Sequence, residues 1–384
     1  MKLLPLFVFW GLWFLGFSTR TVFSPILPLI EDHFGLSHGE AGSLFTSLSF
    51  GYSLSLLATG LFGARWGYKK TLVSGCIGTS LVLIGFQWVE SYPVFHLLFF
   101  LLGLNGGTYL PSVIAIITAT YEARFWGRVI GFHETAAGLS IFSIPLLVPM
   151  ALEFISWRHV LLLLGILMVP LLILFWKVAI EPNREFGQAG IRYRDLLRRK
   201  SIWIMAFLWV LSAANSLGIY SILPLYLIKE QGIGFDLANL LFGVSRAGGI
   251  FFPLAMGLLA DRYGYRNMLI LTLLCNGLIT VALSLAPTLP LLFVALVLQA
   301  IFSVAFFPVA FIAVSRLTSL SERSMALGII ISAGVIFGAG GAPFILGMVA
   351  DRLNFKTGLC VLGILTALSS FTVHSLKEAS SGEK

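Results

Sequence analysis

The segment Leu61–Val73, LFGARWGYKKTLV, returns 197 residues later (258 − 61) as Leu258–Ile270, LLADRYGYRNMLI. The two copies align Arg65 with Arg262 and Gly67 with Gly264. The same offset pairs further residues on both sides: Phe45 with Phe242, Gly51 with Gly248, Pro111 with Pro308, and Gly131 with Gly328. One offset that holds over so long a stretch predicts two related halves built from the same elements.

The composition indicates a protein of the lipid bilayer. Hydrophobic residues make up 58% of the 384 residues, charged residues only 11%, and the mean hydropathy is +0.95, whereas soluble domains carry about 25% charged residues. Apolar runs near or above the roughly 20 residues that cross the hydrocarbon fall at 3–30, 40–64, 70–89, 94–119, 128–152, 158–180, 202–228, 236–260, 267–286, 289–314, 325–350 and 356–376. We therefore predict an all-α membrane protein with twelve transmembrane helices in two pseudo-symmetric six-helix bundles.

Basic residues are divided unevenly between the loops on the two sides of these spans. Of the 25 Lys and Arg residues, Arg20 and Arg246 fall inside spans. Four fall on the side opposite the termini: Arg158, Lys229, Arg352 and Lys356. The other 19 (25 − 2 − 4) share the side of the termini, so the positive-inside rule places both termini in the cytoplasm. The net charge of +8 thus reflects topology, and we expect no nucleic-acid partner.

The chain divides at its longest polar stretch, residues 181–200, EPNREFGQAGIRYRDLLRRK. We interpret this stretch as a cytoplasmic linker between an N-terminal bundle, residues 1–180, and a C-terminal bundle, residues 201–384. The first apolar run continues to Ile30 without a small-residue cleavage site, so we interpret it as a retained helix and not as a secretory signal. Two bundles related in parallel are typical of carriers that rock about a site at the membrane midplane.

Around the repeated segment the chain resembles the major facilitator superfamily. The family signature between helices 2 and 3 is G-x-x-x-D-R-x-G-R/K-R/K. The first copy, GLFGARWGYKK, supplies Gly60, Arg65, Gly67, Lys69 and Lys70, and the second, GLLADRYGYRN, supplies Gly257, Asp261, Arg262, Gly264 and Arg266. The resemblance implies the twelve-helix transporter fold, a membrane-transport role without enzymatic activity, and a cavity lined mainly by helices 1, 4, 7 and 10.

One position departs from that signature. Ala64 stands where the first copy should carry its Asp. Asp261 is therefore the better candidate for a charged contact at the cytoplasmic gate. We expect the glycines of both copies to permit a tight turn and a close approach of helices.

Two arginines lie inside predicted membrane helices. Arg20 precedes the external end of the first helix by about 10 residues, roughly 15 Å at helical rise, and Arg246 lies at a similar depth in the eighth. A guanidinium at that depth costs roughly 2.5–3.5 kcal/mol, and its planar fork matches carboxylate, phosphate or sulfonate groups. We expect both arginines to face one cavity and bind an anion; the alternative is that each braces helices through backbone carbonyls or a partner acid.

Glu134 is the acid that the sequence places well within a helix, in GRVIGFHETAAGLSIFSIP. We expect it to carry a proton, although it could instead pair structurally with a loop cation. His133 precedes it and projects about 100° away around the helix, so it need not face the same cavity. A proton-relay role for His133 competes with that of a packed histidine.

Uncharged polar residues on the predicted cavity helices complete the candidate site. Those that we assign to substrate binding are Tyr52, Asn105, Tyr109, Asn215, Tyr220 and Gln299. Each alone is more often a helix–helix hydrogen bond than a ligand contact. The cysteines, Cys76, Cys275 and Cys360, lie in apolar helices without CxxC spacing, so we expect neither a metal site nor a disulfide framework. We also expect no cofactor.

These residues together predict a secondary transporter of a small organic anion, above all a carboxylate, coupled to protons and working by alternating access. We expect it to act as a monomer in a prokaryotic inner membrane. An exporter of amphipathic compounds is the alternative within transport. A solute sensor with a transporter fold is the alternative of another class, and a membrane enzyme is a distant third because no catalytic motif is visible.

Overall fold

The computed structural model describes residues 3–182, 196–250, 252–319 and 322–376. Within those ranges the chain forms helices and turns and no strand, as an all-α prediction requires. The predicted linker, residues 181–200, lies mostly outside them. The bundle boundaries drawn at that linker therefore stay a prediction.

The helices gather into two compact units. The first comprises Met1–Leu36, Leu44–Gly187 and Leu227–Gly243, and the second comprises Ser37–Ser43, Gln188–Tyr226 and Val244–Lys384. The helices of the first half of the chain are α1 (Leu3–Thr21), α2 (Phe23–Phe34), α3 (His38–Trp66), α4 (Tyr68–Gly85), α5 (Tyr92–Gly106), α6 (Tyr109–Thr120), α7 (Trp126–Leu152) and α8 (Trp157–Val178).

The second half of the chain is more interrupted. Its α-helices are α9 (Lys200–Ala213), α10 (Ile219–Leu225), α11 (Phe235–Ser245), α12 (Phe252–Tyr263), α13 (Tyr265–Leu285), α14 (Leu289–Leu317), α15 (Arg323–Ala333), α16 (Gly341–Arg352) and α17 (Phe355–Ser369). Wider π-helical turns follow α9, α10 and α15, at Ala214–Gly218, Tyr226–Glu230 and Gly334–Gly340. Such turns are rare and often occur at functional sites.

The helices are long and apolar enough for a multi-pass membrane protein. In the described ranges, ten helical segments could cross a membrane, and the bent pair Phe235–Ile250 and Ala255–Tyr263 makes an eleventh. The 29-residue helix α3 occupies the position of the second predicted span. Together these segments are consistent with twelve membrane helices.

The backbone keeps the 197-residue repeat closely. Five helices of each half begin at positions separated by that offset: α1 and α9, α3 and α11, α4 and α13, α5 and α14, and α7 and α15. The positive-φ residues form two pairs at the same offset, Gly35 (φ 63°) with Gly232 (φ 65°), and Gly67 (φ 100°) with Gly264 (φ 84°). Only glycine adopts such angles without strain, so the repeat predicted from sequence is a repeat of backbone conformation.

Packing in the first unit positions the residues of interest. α1 packs against α7 and α8, and the core they share includes Phe9, Leu12, Val113 and Phe175. Two hydroxyl contacts also join α1 to α7, because Ser140 lies 3.0 Å from both Ser18 and Thr21. The end of α1 that carries Arg20 is therefore fixed against the helix that carries His133 and Glu134.

Candidate functional site

Arg20 lies near the end of α1 among three aromatic rings. Its guanidinium carbon is 4.5 Å from the ring centroid of Phe17, 4.7 Å from that of Tyr52 and 5.8 Å from that of Trp13. In residues 3–182 and the other described ranges, no side chain or carbonyl forms a hydrogen bond or ion pair with Arg20. Ring faces stabilise a cation by about 0.5–2 kcal/mol but accept no charge-assisted hydrogen bond, so the N–H donors of Arg20 are available to a ligand.

Trp13 connects this arginine to the interior of the first unit. Its ring is nearly parallel to that of Tyr109, at 4.8 Å between centroids, and to that of His133, at 5.6 Å. All three side chains are buried. Arg20 and His133 thus contact the same indole ring.

A short hydrogen-bonded chain leads from Glu134 through His133 to Tyr109. The Nδ1 atom of His133 lies 3.1 Å from Oε1 of Glu134, and its Nε2 atom lies 3.3 Å from the hydroxyl of Tyr109. Tyr109 donates its proton to the carbonyl oxygen of Phe9 at 2.9 Å. His133 is fully buried, whereas the side chain of Glu134 is 47% exposed. This contact was not expected, because adjacent residues project about 100° apart around a helix.

Two arrangements of protons satisfy this chain. With its hydroxyl proton on the carbonyl oxygen of Phe9, Tyr109 accepts from Nε2–H of His133, and Nδ1 meets Glu134 as a second N–H or accepts from a protonated carboxyl group. With its hydroxyl proton directed to Nε2 of His133, Tyr109 leaves Nδ1–H to donate to the carboxylate of Glu134. The pair can therefore gain or lose one proton and keep its hydrogen bonds in both states.

Arg246 has a different environment in the second unit. Its Nη1 atom donates to Oε1 of Gln299 at 3.1 Å, and Nε2 of Gln299 donates to the backbone oxygen of Asn215 at 2.6 Å. Tyr220 is close enough to Arg246 to interact with its charge. Arg246 and Gln299 are buried, so Arg246 belongs to an internal polar network.

Asn215 is the centre of that network. Its amide nitrogen donates to the carbonyl of Leu211 and to the hydroxyl of Thr366, and its amide oxygen accepts from the hydroxyl of Thr280. These bonds use the donors and an acceptor of the side chain. Asn215 thus fastens the π-helical turn Ala214–Gly218 to α13 and α17.

The polar residues predicted from sequence therefore fall into separate groups. In the first unit the structure joins Tyr52 with Arg20, and Tyr109 with His133 and Glu134. Asn105 lies apart from both groups: it donates to the carbonyl of Leu101, and its side chain packs against Gly78 of α4.

The first gate motif is fastened by an acid that the sequence analysis missed. The carboxylate of Glu181 accepts from the backbone N–H groups of Tyr68 (2.7 Å) and Lys69 (3.2 Å), at the beginning of α4. A carboxylate at a helix N-terminus stabilises the helix dipole. This acid lies at the end of the sixth predicted span, where neither the repeat nor the motif marks it.

The glycines of the gate motifs behave in two ways. Gly67 and Gly264 adopt positive φ angles just before α4 and α13, so the expected tight turn is confirmed. The expected close approach is wrong for Gly60 and Gly257, because within the described residues nothing lies within 4 Å of a Cβ placed on either. These two residues lie on open helix surface.

The charges of the motifs are mostly exposed. Arg65, Asp261 and Arg262 are exposed, and Arg262 lies 5.3 Å from the ring of its neighbour Tyr263. Two hydrogen bonds near the motifs are related by the repeat offset. Nζ of Lys69 donates to the carbonyl of Ala179 at 3.0 Å, and Arg266 donates to that of Leu376 at 2.8 Å.

Comparison with known proteins identifies the fold family. A sequence model of the Major Facilitator Superfamily matches residues 9–254 and 205–382. The chain belongs to the major facilitator superfamily. Members of this superfamily are membrane transporters and not enzymes, so the chain is a multi-pass transporter-fold protein.

Individual relatives of this superfamily member are distant. It is similar to a probable sulfoacetate transporter of Cupriavidus necator (24% identity, 66% of this chain and 61% of the relative) and to a probable hexose phosphate transport protein of Chlamydia muridarum (22%, 66% and 63%). It is also similar to the membrane sensor protein UhpC of Escherichia coli (23%, 67% and 64%). The matches span about three fifths of the length of these relatives.

Solved structures agree on the fold of this superfamily member. An inward-facing, occupied bacterial homologue of the human lysosomal transporter Spinster superposes with a TM-score of 0.82 at 16% identity, covering 98% of both chains. A D-xylose–proton symporter superposes with a TM-score of 0.79 at 17% identity, covering 99% of this chain and 98% of the other. At these identities the likeness establishes the fold alone.

Trp13 and Phe17 lie against Arg20, and sequence reasoning did not single them out. Aromatic residues are abundant in the spans, and we took most of them to face lipid or pack in the interior. Their spacing held a signal, since they precede Arg20 by seven and three residues and so lie on the same helix face.

Proposed function

We propose that this protein carries a small organic anion, most simply a carboxylate, across the membrane together with a proton, by alternating access. The observation that supports the anion is Arg20, a permanent cation surrounded by rings and without a hydrogen-bond acceptor in the described residues. A carboxylate, sulfonate or phosphate would satisfy its fork through paired N–H···O bonds. Two relatives carry names of anion transporters, for sulfoacetate and hexose phosphate.

The proton is assigned to the His133–Glu134 pair. With an additional proton the pair is net neutral and Tyr109 accepts from Nε2–H of His133; without it, Tyr109 can donate to Nε2 while Nδ1–H bonds the carboxylate of Glu134. The half-exposed carboxylate of Glu134 gives the buried imidazole an exit for that proton. When the His133–Glu134 pair is protonated it is neutral, so Arg20 gives the site a charge of +1. A bound monoanion then brings the charge of the site to zero.

Trp13 provides the coupling in this proposal. Arg20 lies 5.8 Å and His133 lies 5.6 Å from the centroid of its ring. Positive charge on His133 therefore lies near the same ring as the Arg20 guanidinium, and the two like charges repel each other. An anion on Arg20 removes that repulsion, so anion and proton bind more tightly together than separately, which is the behaviour of a symporter.

A thermal-shift screen of the purified protein against carboxylates, phosphates and sulfonates tests the anion. A ligand specific for the folded state raises the melting temperature by mass action. We expect one anion class to do so in wild type and in Arg124→Lys, a control at an exposed ion pair with Glu122, and not in Arg20→Ala. No response to any anion, or an equal response in Arg20→Ala, would contradict the proposal.

A second candidate function is solute sensing without transport, which the similarity to a membrane sensor protein favours. Binding alone does not separate the two. Uptake of the responding anion into proteoliposomes does, because a sensor binds it with the same dependence on Arg20 and moves none.

A further inference from the structure

A groove of about 400 Å³ lies on the surface of the first unit between α4 and α8. α4 lines it from Val73 to Ile84, and α8 lines it from Val169 to Lys177. Apart from Ser80 and Lys177, its lining side chains are apolar. The two helices approach closely at Gly165, one turn before the first lining residue of α8. A Cβ on Gly165 would lie 3.1 Å from the backbone oxygen of Ser80.

The length of the groove matches one leaflet of a membrane. The 11 residues from Val73 to Ile84 rise about 16 Å along α4 (11 × 1.5 Å), and half of a typical hydrocarbon core is about 15 Å. Both helices are membrane spans by length and composition. A groove of this kind accepts a hydrocarbon chain lying parallel to the helices.

Basic residues surround one end of the groove. Lys177 lines it there, at the last turn of α8, and Lys69 lies 4.6 Å from the ring centroid of Trp176, another lining residue. Lys70 follows on the first turn of α4 and is exposed. The nearby carboxylate of Glu181 is already held by two backbone N–H groups. This end carries a net positive charge at the level where lipid headgroups begin.

The second unit shows what the same position looks like without these features. The repeat offset pairs Trp176 with Val373, Lys177 with His374, and Lys70 with Asn267. Val373 is buried in the core of its unit, whereas Trp176 is half exposed. The combination of an exposed ring and two exposed lysines is therefore particular to the first unit.

We propose that this groove binds one anionic phospholipid, with an acyl chain along α4 and α8 and its phosphate at Lys177 and Lys70. The charge at the groove mouth selects an anionic headgroup over a zwitterionic one, because each basic residue near an anionic membrane surface adds to the attraction. On the topology predicted from loop charges, the lipid belongs to the cytoplasmic leaflet, where anionic lipids meet the turn at Gly67 and the first turn of α4.

Melting temperatures of delipidated protein in detergent test the proposal, titrated with phosphatidylglycerol or phosphatidylcholine. We expect phosphatidylglycerol to stabilise wild type at lower concentration than phosphatidylcholine. In the double variant Lys70→Gln/Lys177→Gln the concentration for the half-maximal shift should rise about 30-fold, the combined effect expected of two basic residues. The matched control is Lys200→Gln/Lys356→Gln, which removes two lysines elsewhere and should leave the titration unchanged.

Groove-filling and fluorescence experiments locate the lipid. Ile77→Trp should fill the groove and abolish the phosphatidylglycerol shift, measured against the variant's own melting temperature. Brominated phosphatidylglycerol should quench the tryptophan fluorescence of wild type more than that of Trp176→Phe, because Trp176 lines the groove. Equal shifts by both lipids, an unchanged titration in the lysine variant, or equal quenching would overturn the proposal. Crosslinking of Ile77→Cys into dimers in bilayers would also overturn it, since a second copy would then occupy the groove.

Discussion

Arg20 lies among aromatic rings that accept no charge-assisted hydrogen bond, whereas Arg246 donates to a glutamine that is itself anchored to Asn215. The repeat does not relate the two arginines, because its offset pairs Arg20 with Leu217 and Arg246 with Ser49. The backbone of the two halves is shared, down to the positive-φ glycines. The two halves thus share a backbone scaffold but surround their intramembrane arginines differently, Arg20 with aromatic rings and Arg246 with a hydrogen-bonded amide.

The largest expected effect is on anion binding. Charge-assisted hydrogen bonds are worth about 1.5–3 kcal/mol each, so Arg20→Ala should weaken affinity for the responding anion by at least 100-fold while its melting temperature stays near that of wild type. Arg20→Lys should lose roughly 10- to 100-fold, since lysine keeps the charge and loses the fork. Isothermal titration and thermal unfolding on the same samples measure both.

Arg246 provides the contrast to that experiment. Arg246→Lys should change the melting temperature more than it changes affinity, because it breaks the bond to Gln299. An affinity loss as large as that of Arg20→Lys, with no change in melting temperature, would mean that Arg246 also binds the anion, as its sequence position led us to expect. The distinction between an open and a braced arginine would then be wrong.

The next effect concerns the stability of the second unit. Asn215→Leu should reduce the free energy of unfolding by about 2 kcal/mol, because the buried hydroxyl groups of Thr280 and Thr366 lose their hydrogen bonds to its side chain. Thermal unfolding in detergent measures the loss. Asn267→Leu is the control, since that exposed side chain donates to the backbone carbonyl of Tyr263 at the end of α12, and its loss should change little. Equal melting temperatures for the two variants would show that the network braces nothing.

A smaller effect concerns proton coupling in the first unit. Glu134→Gln should abolish accumulation of the anion under an imposed pH gradient, which for one proton and one pH unit is about 10-fold (1.4 kcal/mol). Exchange of internal for external anion should persist, because exchange need not return an empty, deprotonated carrier. Proteoliposome uptake in both modes separates these predictions. Concentrative uptake by the variant would remove Glu134 from the coupling pathway.

The smallest effect is on the pH dependence of stability and comes from Glu322, just before α15. At the matching position of the repeat the first half carries Phe125, which has no charge. Burial opposes ionisation of Glu322, but hydrogen bonds from Ser319 and the ion pair with Arg199 outweigh it and lower its pKa. A lowered pKa stabilises the fold above the unfolded value of about 4.3, and that contribution disappears as the pH falls through the folded value. Arg199 is 40% exposed, so we expect a contribution of about 1 kcal/mol or less.

Paired melting curves check this prediction. The difference between wild type and Glu322→Gln should be present at pH 7 and vanish toward pH 3. The exposed Glu122–Arg124 pair is the control, and Glu122→Gln should show no difference at either pH. A difference for Glu322→Gln that persists at pH 3 would assign the effect to packing and not to charge.

Sequence alone could predict the scaffold because its two determinants are visible in one dimension. Hydropathy marks the spans, and a single offset relates the halves. Arg20, Arg246 and Glu134 could also be singled out, since a charge in an apolar span is conspicuous. These features needed no knowledge of which helices meet.

The partners of those charges could not be predicted, because they depend on contacts between distant segments. Asn215 links helices because its side chain forms hydrogen bonds with Thr280 and Thr366, which are 65 and 151 residues away. Trp13 is indistinguishable in sequence from the other aromatic residues of the spans until its ring is seen between Arg20 and His133. Residue type indicated polarity, and packing decided what each polar group does.

The hydrogen bonds from Lys69 to Ala179 and from Arg266 to Leu376 bear on how the protein is synthesised. In each, donor and acceptor are separated by 110 residues. Neither bond can form until the ribosome has delivered nearly all of that half of the chain. Because N-terminal segments emerge first, the first of these contacts can close while the second half is still being translated. Membrane insertion would then proceed as two successive closures of 110 residues each.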